Sequence, residues 1–222
     1  MPVAFLGFNL TFTPPDEPIV AAVFLDGTSL LLPDVFTGAH VGELDWAFIG
    51  APPPGYTPTF YSYCLDVTQE LLNPQMVTLT STNLLTIPTI PDAGKKAAWL
   101  FNNYGPAVHS VGDPNESGAL QIAIWEALYD TTPDLTSGNF QAEFASPSAT
   151  AAALSYLAGL YSGGPPGYHT DEATWLDAEV GAGQDLITNP EPASLVLCGI
   201  GLFGLATWAR RKRRAATPAR DV

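Results

Sequence analysis

The chain has 222 residues, 46% of them hydrophobic and 14% charged, with a formal net charge of −14. That length makes one domain with a sizeable core plus an appendage and excludes two large domains. The 24 aromatic residues exclude a disordered chain despite 41 prolines and glycines, and 20 carboxylates against Lys95 and Lys96 in residues 1–189 set up a field that excludes nucleic-acid binding.

Residues 1–11 have no basic n-region and only a brief apolar stretch, so they do not read as a secretory leader. Residues 3–67 favour strands. Ile19–Leu25 and residues 29–32, 44–49 and 60–67 are β-branched or aromatic runs, separated by Asp26-Gly27, by Thr37-Gly38 and by a turn-rich stretch at 51–58. Residues 77–87 make a further strand candidate. The pattern then changes to three helices. The first covers residues 92–104, with Asp92 as N-cap and Gly105-Pro106 as its stop; the others cover 117–129 and 147–161. Residues 174–180 and 184–187 return to strand. Strands, a helical insertion and closing strands predict an α+β fold: an antiparallel β-sandwich or barrel with about three inserted helices.

At the C-terminus, residues 193–209 run for 17 positions without a charge, the short end of a membrane-spanning helix. Arg210, Arg211, Lys212, Arg213 and Arg214 follow at once, which orients the body outside the cytoplasm. Gly199, Gly201 and Gly204 match a dinucleotide fingerprint, but they lie inside the apolar run with no strand before them, where small residues serve helix packing instead. Pro190-Glu191-Pro192, the apolar run and the basic cluster, in that order, resemble the PEP-CTERM sorting signal. That resemblance implies a Gram-negative, exopolysaccharide-producing host, recognition and processing by an exosortase, and release from the inner membrane to the cell surface or extracellular matrix. The expected organisation is an extracytoplasmic domain at 1–188, the sorting signal at 189–214 with its transmembrane helix at 193–209, and a cytoplasmic tail at 215–222. Export also requires a leader, which a start codon placed too far downstream or trimming would have removed.

Cys198 lies in the apolar run, which leaves Cys64 as the one cysteine of the body. His40, His109 and His169 are scattered, and no HExxH, paired-cysteine, Walker or GxSxG motif occurs, so no metal or cofactor is expected. A cysteine–histidine hydrolase built on Cys64 with His109 or His169 is a minor alternative. On the second helix, Gln121, Trp125 and Leu128 share one face, which aims a carboxamide into an apolar surface where an unpaired amide costs roughly 1–3 kcal/mol. Gln121 therefore needs a specific partner.

Tyr63-Cys64-Leu65-Asp66, followed by Leu120-Gln121-Ile122-Ala123-Ile124-Trp125 and preceded in the interval by residues 96–105, resembles the bacterial Cys–Gln thioester domains of surface adhesins. The resemblance implies an internal thioester between Cys64 and Gln121 that acylates an amine once, as a covalent latch rather than as a turnover enzyme. Tyr61, Tyr63 and Trp125 would exclude water, Asp66 would either orient the site or stand as an exposed carboxylate at the strand end, and the partner would be an amine-bearing surface or matrix component. Two other readings stand beside it. One is a non-reactive structural protein of the exopolysaccharide matrix. The other is a carbohydrate-binding module stacking sugars on Trp46, Tyr56, Tyr168 and Trp175.

Overall fold

The structure is a computed structural model that describes residues 8–13, 19–25, 34–69, 71–72, 74–144, 146–162, 171–178 and 183–189, with side chains from Val41 onward apart from Phe144. Six strands close an antiparallel barrel: β1 (Phe8–Thr13), β4 (Leu44–Phe48), β5 (Thr59–Cys64), β9 (Leu186–Thr188), β8 (Thr174–Ala178) and β6 (Gln75–Ser81), in that order around the ring. The ring shuts where β1 pairs with both β4 and β6, setting Leu10 opposite Phe48 and Phe8 opposite Val77. A second antiparallel sheet has the order β3 (Asp34–Val41), β2 (Ile19–Leu25), β7 (Phe140–Phe144). Three helices among the described residues, α1 (Ala93–Val111), α2 (Pro114–Tyr129) and α3 (Pro147–Ser162), lie between β6 and β8 in sequence, with β7 between the last two. The α+β class and the helical insertion hold, and the sheet curls into a barrel.

α2 organises the molecule. Asp113 caps it by accepting from the Asn115 N–H at 2.9 Å, and Pro114 presets the first helical φ. Every residue from Gly118 to Leu128 is buried, so the helix has no solvent face and packs against α1, α3 and both sheets. Leu120, Ile122, Ile124 and Leu128 are fully enclosed, each worth about 1.5–3 kcal/mol of transfer free energy. In that setting a polar side chain needs a partner.

Several elements depart from the expected bounds. α1 does not stop at Gly105-Pro106 but runs through Pro106 to Val111, where Gly112 takes the left-handed cap at φ 67. Asp92 does sit at its N-cap, in left-handed backbone at φ 55, but its side chain makes an ion pair with Lys95 at 3.1 Å instead of a cap bond. α2 begins three residues before Ser117. The strand expected over 77–87 breaks at Thr82 into a 3-10 turn, Thr82–Leu84, capped by the Ser81 hydroxyl. The expected strand at 29–32 and the membrane helix at 193–209 lie outside the described residues, within which no helix is long and apolar enough to cross a membrane.

Candidate functional site

Cys64 is the last residue of β5, paired with Leu186 of β9 on one side. On the other side β4 ends early. Its register sets Leu44 opposite Ser62, so the position opposite Cys64 falls at Gly42, where the chain turns away at φ 135. The main-chain N–H and C=O of Cys64 thus face a gap in the ladder, and buried backbone groups without partners are costly. Gln121 fills the gap. Its Oε1 accepts from the Cys64 N–H at 2.7 Å, and its Nε2 donates to the Cys64 carbonyl at 2.8 Å. One carboxamide stands in for a residue of the missing strand. Gln121 is fully buried and Cys64 is 6% exposed.

The Cys64 thiol donates to a second glutamine, Gln184 Oε1, at 2.9 Å. Burial first, and the nearby Asp66 charge second, push that thiol far above the ordinary range, so it is held protonated. Gln184 Nε2 donates in turn to the Asp66 carbonyl oxygen.

The remaining expected site residues divide. Tyr63 is fully buried, reaches Glu43 Oε2 at 3.5 Å and lies edge-on to Phe101. Burial and the Glu43 charge drive its phenol pKa well up. Trp125, one turn beyond Gln121, is 2% exposed and packs on Phe140. Asp66 is half-buried, and its carboxylate holds a local turn by accepting from the Thr68 N–H, the Thr68 hydroxyl and Gln69 Nε2. Pro190, Glu191 and Pro192 lie outside the described residues.

The two alternative readings fare unevenly, and His169 of the hydrolase alternative lies outside the described residues. His109 does not meet the thiol. Its ring stacks on Tyr61 at 4.3 Å, and its Nδ1 bonds Glu43 Oε1 at 2.7 Å. Burial raises the Glu43 pKa against the opposing pull of His109. Asp45 joins these two in a group whose ligand-type atoms lie within 4.8 Å of one another, an arrangement that residues so far apart in sequence do not announce. Of the aromatics proposed to stack on sugars, Trp46 is only 1% exposed and has no face to offer. Tyr56, bonded to Thr174 at 2.8 Å, lines an open groove of about 330 Å³ with Thr80, Ser81, Glu172 and Asn189. Trp175 is half-buried, and Tyr168 lies outside the described residues.

The sequence reading missed Gln184 and Gln75. Gln75 opens β6 and grips the main chain of Gln184, donating to its carbonyl at 3.1 Å and accepting from its N–H at 3.3 Å. The only local signal is Gly183, at φ 138, where a Cβ would strike the Gln75 carboxamide.

Residues 190–214 match the PEP-CTERM protein-sorting motif. The motif marks a chain exported toward the cell surface and processed by an exosortase. No curated protein matches the chain in sequence. Among solved structures, the chain is similar to the N-terminal thioester domain of fibronectin-binding protein SfbI from Streptococcus pyogenes, at 14% identity and a TM-score of 0.42, over 80% of this chain and 96% of that one. It is also similar to a cysteine-to-alanine mutant of the pilus-presented adhesin Cpa, at 13% identity and a TM-score of 0.33, over 79% of this chain and 64% of that one.

Proposed function

We propose that residues 1–188 form an exported surface domain in which Cys64 and Gln121 condense to an internal thioester that acylates an amine on a partner surface or matrix component. The observation that carries this reading is the two-point contact of the Gln121 carboxamide with Cys64, sealed from water. The sulfur of Cys64 attacks Cδ of Gln121; the C–S bond forms, the C–N bond breaks, and the thiol proton leaves with the amide nitrogen as ammonia. The Cys64 N–H already points at the carboxamide oxygen, where negative charge develops in the tetrahedral adduct. An incoming amine then attacks the same carbon, an amide forms, and Cys64 recovers its thiol. Enclosure protects the thioester from hydrolysis in the interval.

The anchor completes this reading. Residues 193–209 would cross the inner membrane once with the basic cluster inside, and exosortase processing near Pro190-Glu191-Pro192 would hand the domain to the surface, with exopolysaccharide as a candidate matrix. The alternative is a non-reactive matrix protein, favoured by the fact that Gln121 already satisfies the main chain of Cys64 without any reaction.

Intact mass of the full chain, prepared without amines, separates the two. The expected result is a deficit of one ammonia relative to the sequence, absent in Cys64→Ala and Gln121→Ala and replaced by an adduct after methylamine. An undiminished mass, with Cys64 alkylated only on unfolding, overturns the thioester and leaves the non-reactive reading.

A further inference from the structure

Three glutamines are buried among the described residues: Gln75, Gln121 and Gln184. Two of them spend both ends of the carboxamide on one residue's main chain, Gln121 on Cys64 and Gln75 on Gln184. Gln184 differs. It offers its carbonyl oxygen to the Cys64 thiol at 2.9 Å and its nitrogen to the Asp66 carbonyl. That amide is therefore fixed in orientation at both ends, and its backbone is fixed by Gln75. Gly183, with no Cβ, permits the close approach. Little of the side-chain polarity is needed for packing, because an apolar side chain would fill the same space without two polar partners, the Cys64 thiol and the Asp66 carbonyl, to meet.

We propose that Gln184 is a positioning residue for Cys64: it holds the thiol hydrogen so that sulfur keeps its lone pairs turned away from Gln184 and free for the carboxamide of Gln121, which is held on the Cys64 main chain. The inference rests on the thioester reading for its consequence, but the hold on the thiol can be measured without a thioester. A hydrogen bond donated by a thiol favours the protonated form. Losing it lowers the pKa of Cys64, whereas a carboxylate in its place raises it.

The test uses the full chain and two variants, Gln184→Met, which keeps the bulk and removes both polar ends, and Gln184→Glu, which keeps the acceptor. In a Gln121→Ala background, where no thioester between Cys64 and Gln121 can form and the shortened side chain opens a path to the sulfur, iodoacetamide alkylation of Cys64, told apart from Cys198 by peptide mapping, is followed against pH in the folded state. The expected result is a profile displaced to lower pH in Gln184→Met and to higher pH in Gln184→Glu. A loosened fold would instead speed both reactions without opposite shifts. In the otherwise native chain, ammonia loss should be at least about tenfold slower in Gln184→Met, which is about 1.4 kcal/mol of activation free energy.

Unmoved profiles and an unchanged rate of ammonia loss overturn the positioning role and leave the thioester standing. Opposite profile shifts in a chain that never loses ammonia support the hold on the thiol while the thioester reading fails. Ammonia loss that survives Gln121→Ala and vanishes in Gln184→Met makes Gln184 the acyl donor, which overturns both the positioning role and the assignment of Gln121.

Discussion

Glu126 and Gln121 are both wholly buried on α2, yet the fold treats them differently. Gln121 has a partner at each end of its amide. Glu126 accepts from the Asp134 N–H at 3.0 Å through Oε1, while its Oε2 has no hydrogen-bond partner among the described residues. Burial, with Asp130 and Asp134 adding to it and the Asp134 amide opposing, raises its pKa from 4.5 to about 8. An acid raised in this way keeps its proton longer in the folded chain than in the unfolded one. Between about 4.5 and about 8 the folded state therefore binds more protons, and stability falls as pH rises. Asp185, raised to about 6 mainly by burial, adds the same sign over a lower window, from 3.8 upward. Thermal unfolding should accordingly give a lower Tm at pH 8.5 than at pH 5. Glu126→Gln should match the native chain at pH 5 and remove most of the decline; a decline that persists unchanged would assign it to other groups. Cys64 and Gln121 are legible in the sequence because each stands in a short distinctive run, and an amide on an apolar helix face demands a partner. Gln184 is not legible. It reads as the first residue of a strand, and its role comes from Gln75, 109 positions away.

At the scale of elements, local signals fail where tertiary contacts outweigh them. Pro106 removes one helical hydrogen bond and costs about 3 kcal/mol in a helix interior. The turn beyond it is nevertheless held by the burial of Val108, by His109 stacked on Tyr61 and bonded to Glu43, and by the left-handed Gly112. Thr37-Gly38 reads as a turn, but β3 passes straight through it. The pairing with β2 slips between Ala21 and Val23, so these two residues belong to a bulge, which keeps glycine inside a strand. The helices of the insertion are legible because each has an apolar run of helical length between proline or glycine stops. Their exact ends depend on neighbours. The start of α1 makes this measurable. A Cβ on Gly94 would run into the carbonyl oxygen of Thr82 in the 3-10 turn, which is backbone and cannot yield as a flexible side chain would. Gly94→Ala should therefore cost about 1–3 kcal/mol in urea unfolding, the range of overpacked cores, despite the higher helix propensity of alanine. A neutral or stabilising effect would mean that α1 shifts freely against the turn.

For the whole molecule the decisive strand is the shortest. β9 has three residues, yet it lies between β5 and β8 and closes the barrel, setting Tyr63 opposite Ile187 and Trp175 opposite the same residue on its other edge. The segment before it carries Gln184 to the thiol, and the carbonyl of Asp185 receives the Leu65 N–H at 2.7 Å. The C-terminal end of the described body thus supplies both the closure of the sheet and one wall of the site. The sorting motif begins at residue 190, two positions after the last strand residue. Processing within or beyond Pro190-Glu191-Pro192 would leave every barrel pairing intact, whereas a cut a few residues earlier would open the ring. Two truncations test that division. A chain ending at residue 189 should unfold in one cooperative transition and show the same ammonia deficit as the full chain. A chain ending at residue 182 loses β9, Gln184 and Asp185 together, and should have a broadened or absent transition, protease-sensitive helices and a freely alkylated Cys64. If the shorter chain kept a sharp transition and a protected thiol, closure by β9 would be dispensable, and the barrel formed by the other five strands would be the true folding unit.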